Sequence, residues 1–130
     1  MYRAVTRNIQ ITVSSSYHAD QSSPEEGRYF WSYTVEIANL GTETVRLEAR
    51  HWRIRDANGV VHEVKGEGVV GKKPVLKAGE VFKYTSGCPL ETPQGIMAGT
   101  YAMRTEAGET FEAEVPPFSL DSPQARRVVH

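Results

Sequence analysis

Cysteine is almost missing: Cys88 is the only one in 130 residues, so no internal disulfide can form. A small domain without such staples fits a reducing compartment, and a cytoplasmic protein is expected. Long apolar runs are missing as well. None approaches the ~18 residues of a membrane-spanning helix. The opening Met1-Tyr2-Arg3-Ala4-Val5-Thr6-Arg7 alternates with polar side chains and lacks the apolar stretch of a secretory signal. Charge of one sign is not in excess: 15 Lys and Arg stand against 16 Asp and Glu, for a net charge of −1. That removes the usual electrostatic drive toward nucleic acid or an anionic membrane, so neither is the expected partner. A sustained helical period is found nowhere, which argues against any long helix.

What the chain has in abundance is alternation. Val5, Ile9, Ile11 and Val13 read as one face of a first run, interrupted at Arg7, which suggests an edge strand. A polar loop is expected from Ser14 to Gly27. Tyr29, Trp31, Tyr33, Val35 and Ile37 form the clearest inward face, with Ser32, Thr34 and Glu36 opposite. Val45, Leu47 and Ala49 are followed by Trp52 and Ile54, out of phase, which predicts a β-bulge near Arg50-His51. At Asp56-Ala57-Asn58-Gly59 a two-residue type I′ turn would put Trp52 and Ile54 opposite Lys65 and Glu63. A three-residue loop with Gly59 left-handed instead pairs Ile54 with His62 and Trp52 with Val64, which keeps apolar side chains together. The same reasoning at Thr105–Gly108 pairs Met103 with Phe111 and Tyr101 with Ala113. Between these hairpins, Val81–Ser86 reads as a strand with Phe82 and Tyr84 inward. About seven to eight short strands with regular turn signals predict an all-β, two-sheet antiparallel sandwich of immunoglobulin or fibronectin type III kind. It is read as one domain over residues 1–120, with a flexible polar tail over 121–130.

Few residues suggest chemistry. Gly66-Glu67-Gly68-Val69-Val70-Gly71 has the spacing of a dinucleotide-binding loop, but Pro74 follows where a helix would have to supply the anion-binding end. The segment therefore reads as a sharply bent glycine-rich loop. A weak phosphate site at Gly66, Gly68, Gly71, Lys72 and Lys73 stays open, through exposed backbone N–H groups beside the two lysines. His18 with Asp20, Glu25 and Glu26 offers a hard-cation cluster but reads better as a solvated loop. His62, beside Ile54 and Trp52, reads as a partly buried structural histidine. Ser86-Gly87-Cys88 lacks the strand–turn–helix elbow of a nucleophile, and Cys88 reads as a loop or core thiol. Tyr29, Trp31 and Tyr33 are taken as core in preference to a base-stacking platform.

The chain resembles the ApaG family. The likeness rests on Gly66–Gly71, Pro74, Leu76, Gly79-Glu80, Phe82, Tyr84, Ser86-Gly87, Leu90, Thr92, Gly95, Met97, Gly99 and Tyr101. Trp31-Ser32-Tyr33, Ile37, Asn39-Leu40 and Arg50-His51-Trp52 extend it. Ala78 departs from it, since the family commonly carries proline before the glycine at 79. The resemblance implies a fibronectin type III-like sandwich, and reuse of similar domains in eukaryotic adaptor proteins implies protein binding. It also implies an association with cobalt and magnesium tolerance. A pyrophosphate-binding role suggested for the family's glycine motif would fall on Gly66, Gly68 and Gly71. It carries over no catalytic residue. The expected function is a non-enzymatic protein–protein interaction module without a cofactor, presenting the Glu67–Pro74 and Cys88–Met97 loops. The alternative is a sensor of a pyrophosphate-containing nucleotide or a divalent cation, with weak binding at most.

Overall fold

Alternating side chains become strands buried on one face, and the computed structural model, which describes residues 1–123, is built mainly of them. They are β1 (Tyr2–Thr6), β2 (Ile9–Tyr17), β3 (Tyr29–Asn39), β4 (Val45–Asp56), β5 (Val61–Glu67), β6 (Val75–Leu76), β7 (Val81–Leu90), β8 (Gln94–Thr105) and β9 (Thr110–Asp121). Two 3-10 turns, Ala19–Gln21 and Pro24–Glu26, bridge β2 to β3. One antiparallel sheet runs β1-β2-β3-β7 and the other β5-β4-β8-β9, with the short β6 alongside β4. The sheets pack face to face as the expected immunoglobulin-like, fibronectin type III-like sandwich.

The predicted inward face of β3 holds, while Ala49, expected inward on β4, is turned out by the register shift after Leu47. Trp31, Val35 and Ile37 of β3 have no exposed surface and pack with Leu47, Met97, Tyr101, Met103 and Phe118 of the facing sheet. Trp52 sits among aromatic neighbours, edge-on to Tyr33, Tyr101 and Phe118 with ring centroids 5.5–6.2 Å apart. Both hairpin registers follow the apolar pattern. Ile54 pairs with His62 and Trp52 with Val64, and Met103 pairs with Phe111 and Tyr101 with Ala113. Gly59 and Gly108 are left-handed, at φ 84° and 89°.

Five local expectations change. The first run is two strands, because Arg7 and Asn8 both take positive φ (47° and 64°) and fold β1 back on β2. That is the geometry of a two-residue type I′ turn, made here without glycine. Val5 thereby leaves the Ile9–Val13 face and lies more than half exposed on the edge strand. Ser14–Tyr17 continue β2, paired with Thr34–Trp31, and are not loop. The Cys88–Met97 segment is not an open loop either. β7 runs on to Leu90, three residues cross between the sheets, and β8 begins at Gln94, with Cys88, Leu90, Thr92 and Gly95 buried. The predicted bulge exists but lies at Glu48, where the β4–β8 register shifts between Leu47 and Ala49. Of the tail assigned to 121–130, Asp121 ends β9 and the buried Ser122 donates to Pro93 O at 2.6 Å. Residues 124–130 lie outside the described residues.

The two long sides of the sandwich differ. Where β1 meets β9, Tyr2 Oη and Ser119 Oγ are hydrogen-bonded at 2.9 Å, and Ser15 Oγ donates to Ser119 O at 3.0 Å. Glu114 N–H donates to Thr6 Oγ1 at 3.1 Å, and these bonds close that side. On the opposite side β7 and β5 each end a sheet. Between them opens a cleft of ≈690 Å³.

Candidate functional site

The glycine-rich segment is built from three different demands. Gly66 lies inside β5 opposite Arg50. A Cβ there would come within 2.8–2.9 Å of three guanidinium atoms of Arg50, so the missing side chain leaves room for that group. Gly68 is left-handed (φ 62°), and a Cβ on it would collide with Lys72 O. Gly71 is left-handed (φ 77°) with open space around it. Val69 plugs the core with no exposed surface, while Val70 itself takes a strained φ of 44°. The path turns back without a helix.

The five residues considered for phosphate are thus split. Gly68, Gly71, Lys72 and Lys73 share one tight loop, and Gly66 belongs to a strand. Within the loop, Gly68 N–H donates to Glu48 O, and Val69 and Lys72 exchange N–H···O bonds of 2.8–2.9 Å. Lys73 Nζ lies 2.9 Å from Glu67 Oε1 and 3.6 Å from Glu48 Oε1. The hydrogen bond to Glu67 raises the lysine pKa, and the same bond lowers that of Glu67.

Arg50 is the residue that sequence reasoning passed over. The bulge at Glu48 sets Arg50, Trp52 and Ile54 on one face, the inward one. Placing the bulge two residues later concealed this. From there the half-buried side chain lies over Gly66 toward the open side, and Nη1 donates to Glu67 O (3.0 Å) and Gly68 O (2.9 Å). No carboxylate lies within ion-pair distance of Arg50 among the described residues. The available signal was a charged residue two before a core tryptophan.

Arg50, Tyr33, Trp52, His62, Val64 and Ser86 contribute to the cleft wall, with Arg28 and Glu91 also lining it. Trp52 is 3% exposed, yet its Nε1–H has no hydrogen-bond partner among the described residues. An unmade hydrogen bond of that kind costs about 1–3 kcal/mol. Burial raises the pKa of Tyr33, with Ser86 opposing it, and burial likewise raises those of Tyr84 and Tyr101, whose hydroxyls are hydrogen-bonded to each other.

His62 is exposed, not partly buried as its register suggested, because β5 is an edge strand with no neighbour on its outer side among the described residues. Its Nε2 lies 3.4 Å from Asp56 Oδ2. Burial works against the Asp56 carboxylate, but N–H donation from Val60 and Asn58, together with His62, holds its pKa below the usual range. Cys88 is a core thiol whose pKa burial pushes up to about 11. His18 Nε2 and Ser32 Oγ are hydrogen-bonded at 2.7 Å, and the imidazole packs beside Phe30. Among the described residues no three His, Cys, Asp or Glu side chains are grouped to hold a metal ion. No helix among them is long and apolar enough to cross a membrane.

A two-sheet β-sandwich closed along one side and open along the other, with an inward arginine at the open mouth, defines an immunoglobulin-like domain with a preformed cleft. The chain belongs to the ApaG domain family, whose model matches residues 19–105. It is 62% identical to Protein ApaG of Methylobacterium radiotolerans over 130 residues, the full length of both chains. It is 61% identical to Protein ApaG of Rhodopseudomonas palustris, again over both full lengths. The crystal structure of an ApaA protein from Bordetella pertussis superposes with a TM-score of 0.86 at 44% identity, covering 89% of this chain and 94% of that one.

Proposed function

We propose that this chain is a non-enzymatic module that binds another protein, acting in the cytoplasm. One observation carries the proposal: among the described residues β5 and β7 each keep one free edge on the same side, with the cleft between them. Unpaired strand edges recruit extended backbone, and a cavity beside them gives such a partner a place for side chains. The cleft suits binding better than covalent catalysis. Burial pushes the Cys88 pKa up to about 11, and no hydrogen bond links Ser86 to His62 among the described residues. The association with cobalt and magnesium tolerance then runs through the bound protein, not through ligation by His18 and its neighbours.

The test is affinity capture from bacterial lysate with the native chain and with Val64→Arg, which fills the cleft from an exposed position. A small set of proteins retained saturably by the native chain and lost with the variant is the expected result. The contrary result is no retained protein, together with stabilisation by ATP or a dinucleoside polyphosphate at physiological salt that disappears in a Lys72→Ala, Lys73→Ala variant. That outcome would replace the module with the nucleotide sensor.

A further inference from the structure

Edge strands are usually blunted by proline, by charge or by a covering loop. β7 carries Pro89 and Lys83. β5 carries no proline; its charged Glu63, Lys65 and Glu67 stand on the outer face, and Val61 and Val64 are exposed at 46% and 42%. Its backbone can be assigned group by group. Asp56 N–H donates to Val60 O, which makes 56/60 a hydrogen-bonded pair, and the pairs 54/62, 52/64 and 50/66 follow by alternation. The intervening residues Val61, Glu63 and Lys65 therefore direct N–H and C=O away from β4, at the open side. Their side chains face the outer surface. His62 and Val64 face the cleft, and at Gly66 no side chain intervenes, so Arg50 reaches across from β4.

Two features at this one place lack partners within the described residues: the backbone groups of the β5 edge and the guanidinium charge of Arg50. The cleft holds two carboxylates near them. Asp56 Oδ1 already accepts from Asn58 and Val60, and Glu91 lies across the cleft after β7. The unmatched groups are mostly donors, so they call for an acidic, oxygen-bearing ligand. The strand edge calls for extended backbone.

We infer that the free edge of β5 is the docking site for an extended, acidic peptide segment of a partner protein, which adds as a further strand. Side chains of such a segment alternate between the two faces, so those on the inner face fall two residues apart. One of them lies level with Gly66 and is an Asp or Glu that meets Arg50. The next lies level with Val64 and is apolar, entering the cleft against Trp52. The recognised motif is an acidic and an apolar residue separated by one position. The inference rests on the protein-binding reading above and names its surface and partner chemistry.

The test is selection of a random dodecapeptide display library on the full chain, followed by titration of the recovered peptides in solution. The expected consensus is Asp or Glu two positions from an apolar residue. Arg50→Ala should weaken binding about ten-fold or more, with partial recovery by Arg50→Lys, because a bidentate guanidinium–carboxylate bond is lost and only point charge returns. Glu63→Pro removes an edge donor that is not bonded to β4, and it should abolish binding while the domain stays folded. Should that variant unfold, amide exchange at Val61, Glu63 and Lys65 supplies the same information, since all three must slow when peptide is added to the native chain. Recovery of no peptide, recovery of peptides without an acidic residue, or binding indifferent to Arg50→Ala would overturn the inference. If lysate capture persists in Arg50→Ala and Glu63→Pro while peptides fail, only the edge site is lost. If the native chain also retains nothing from lysate, the protein-binding reading is lost too.

Discussion

Single residues in this fold are explained by what a side chain would touch, and the glycine motif shows it best. Gly68→Ala combines positive φ with a collision against Lys72 O, so it should destabilise by about 1 kcal/mol or more. Gly71→Ala meets only the backbone term. Gly66→Ala should act differently, displacing Arg50 and so reducing binding more than stability. Lys72→Ala should leave the melting temperature nearly unchanged, because that side chain is exposed and has no carboxylate within ion-pair distance among the described residues. Thermal melts of the four variants beside the native chain check the set. A Gly68→Ala protein as stable as native would contradict the geometry.

Buried ionisable groups give a second expectation at this scale. Burial raises the Cys88 pKa from an ordinary value of 9.0 to about 11 and also raises Tyr33, Tyr84 and Tyr101. The folded state therefore holds protons that the unfolded chain releases. The sign follows: this stability is fully present below pH 9 and declines as pH rises through the folded values. Urea unfolding at pH 8 and pH 10.5 should show lower stability at the higher pH. Cys88→Ala should reduce the difference in part, leaving the tyrosine share. Stability that rises between those pH values would contradict it.

At the scale of elements, what was legible in the sequence followed from period. β3, both later hairpins and the phase change in β4 are visible because a one-residue slip turns an apolar face outward. What was hidden lacked such a marker. The Arg7-Asn8 turn uses positive φ in residues that do not advertise it, since Arg7 is held by Glu43 and Glu109 at 3.3 and 3.0 Å and by the ring of Phe111. The extension of β7 through Pro89 was hidden because proline discourages a strand except at an edge, which is where β7 lies. The bulge was detectable, but its position was not. Any residue from Glu48 to His51 would restore the phase, and only pairing with β8 selects Glu48. That two-residue uncertainty hid Arg50, and with it the candidate site. Deleting Glu48 should turn either Val45 and Leu47 or Trp52 and Ile54 outward. At about 1.5–3 kcal/mol per exposed core side chain, the loss should reach about 3 kcal/mol or more. Glu48→Ala keeps the bulge and should cost well under that. A deletion variant that unfolds at the native urea midpoint would show that the bulge does not set the phase of β4.

The two long sides of the whole molecule differ. Side-chain bonds between β1 and β9 seal one side, and the opposite side keeps two strand edges, a cavity and an arginine without a carboxylate partner among the described residues. A photo-crosslinking amino acid placed at Val64, on the open side, or at Val5, exposed on the closed side, compares the two directly in living cells. Crosslinks to a discrete protein from position 64, absent from position 5 and lost with Arg50→Ala, are the predicted result. Equal crosslinking from both positions, or crosslinks from position 5 alone, would contradict the assignment of the open side as the binding surface.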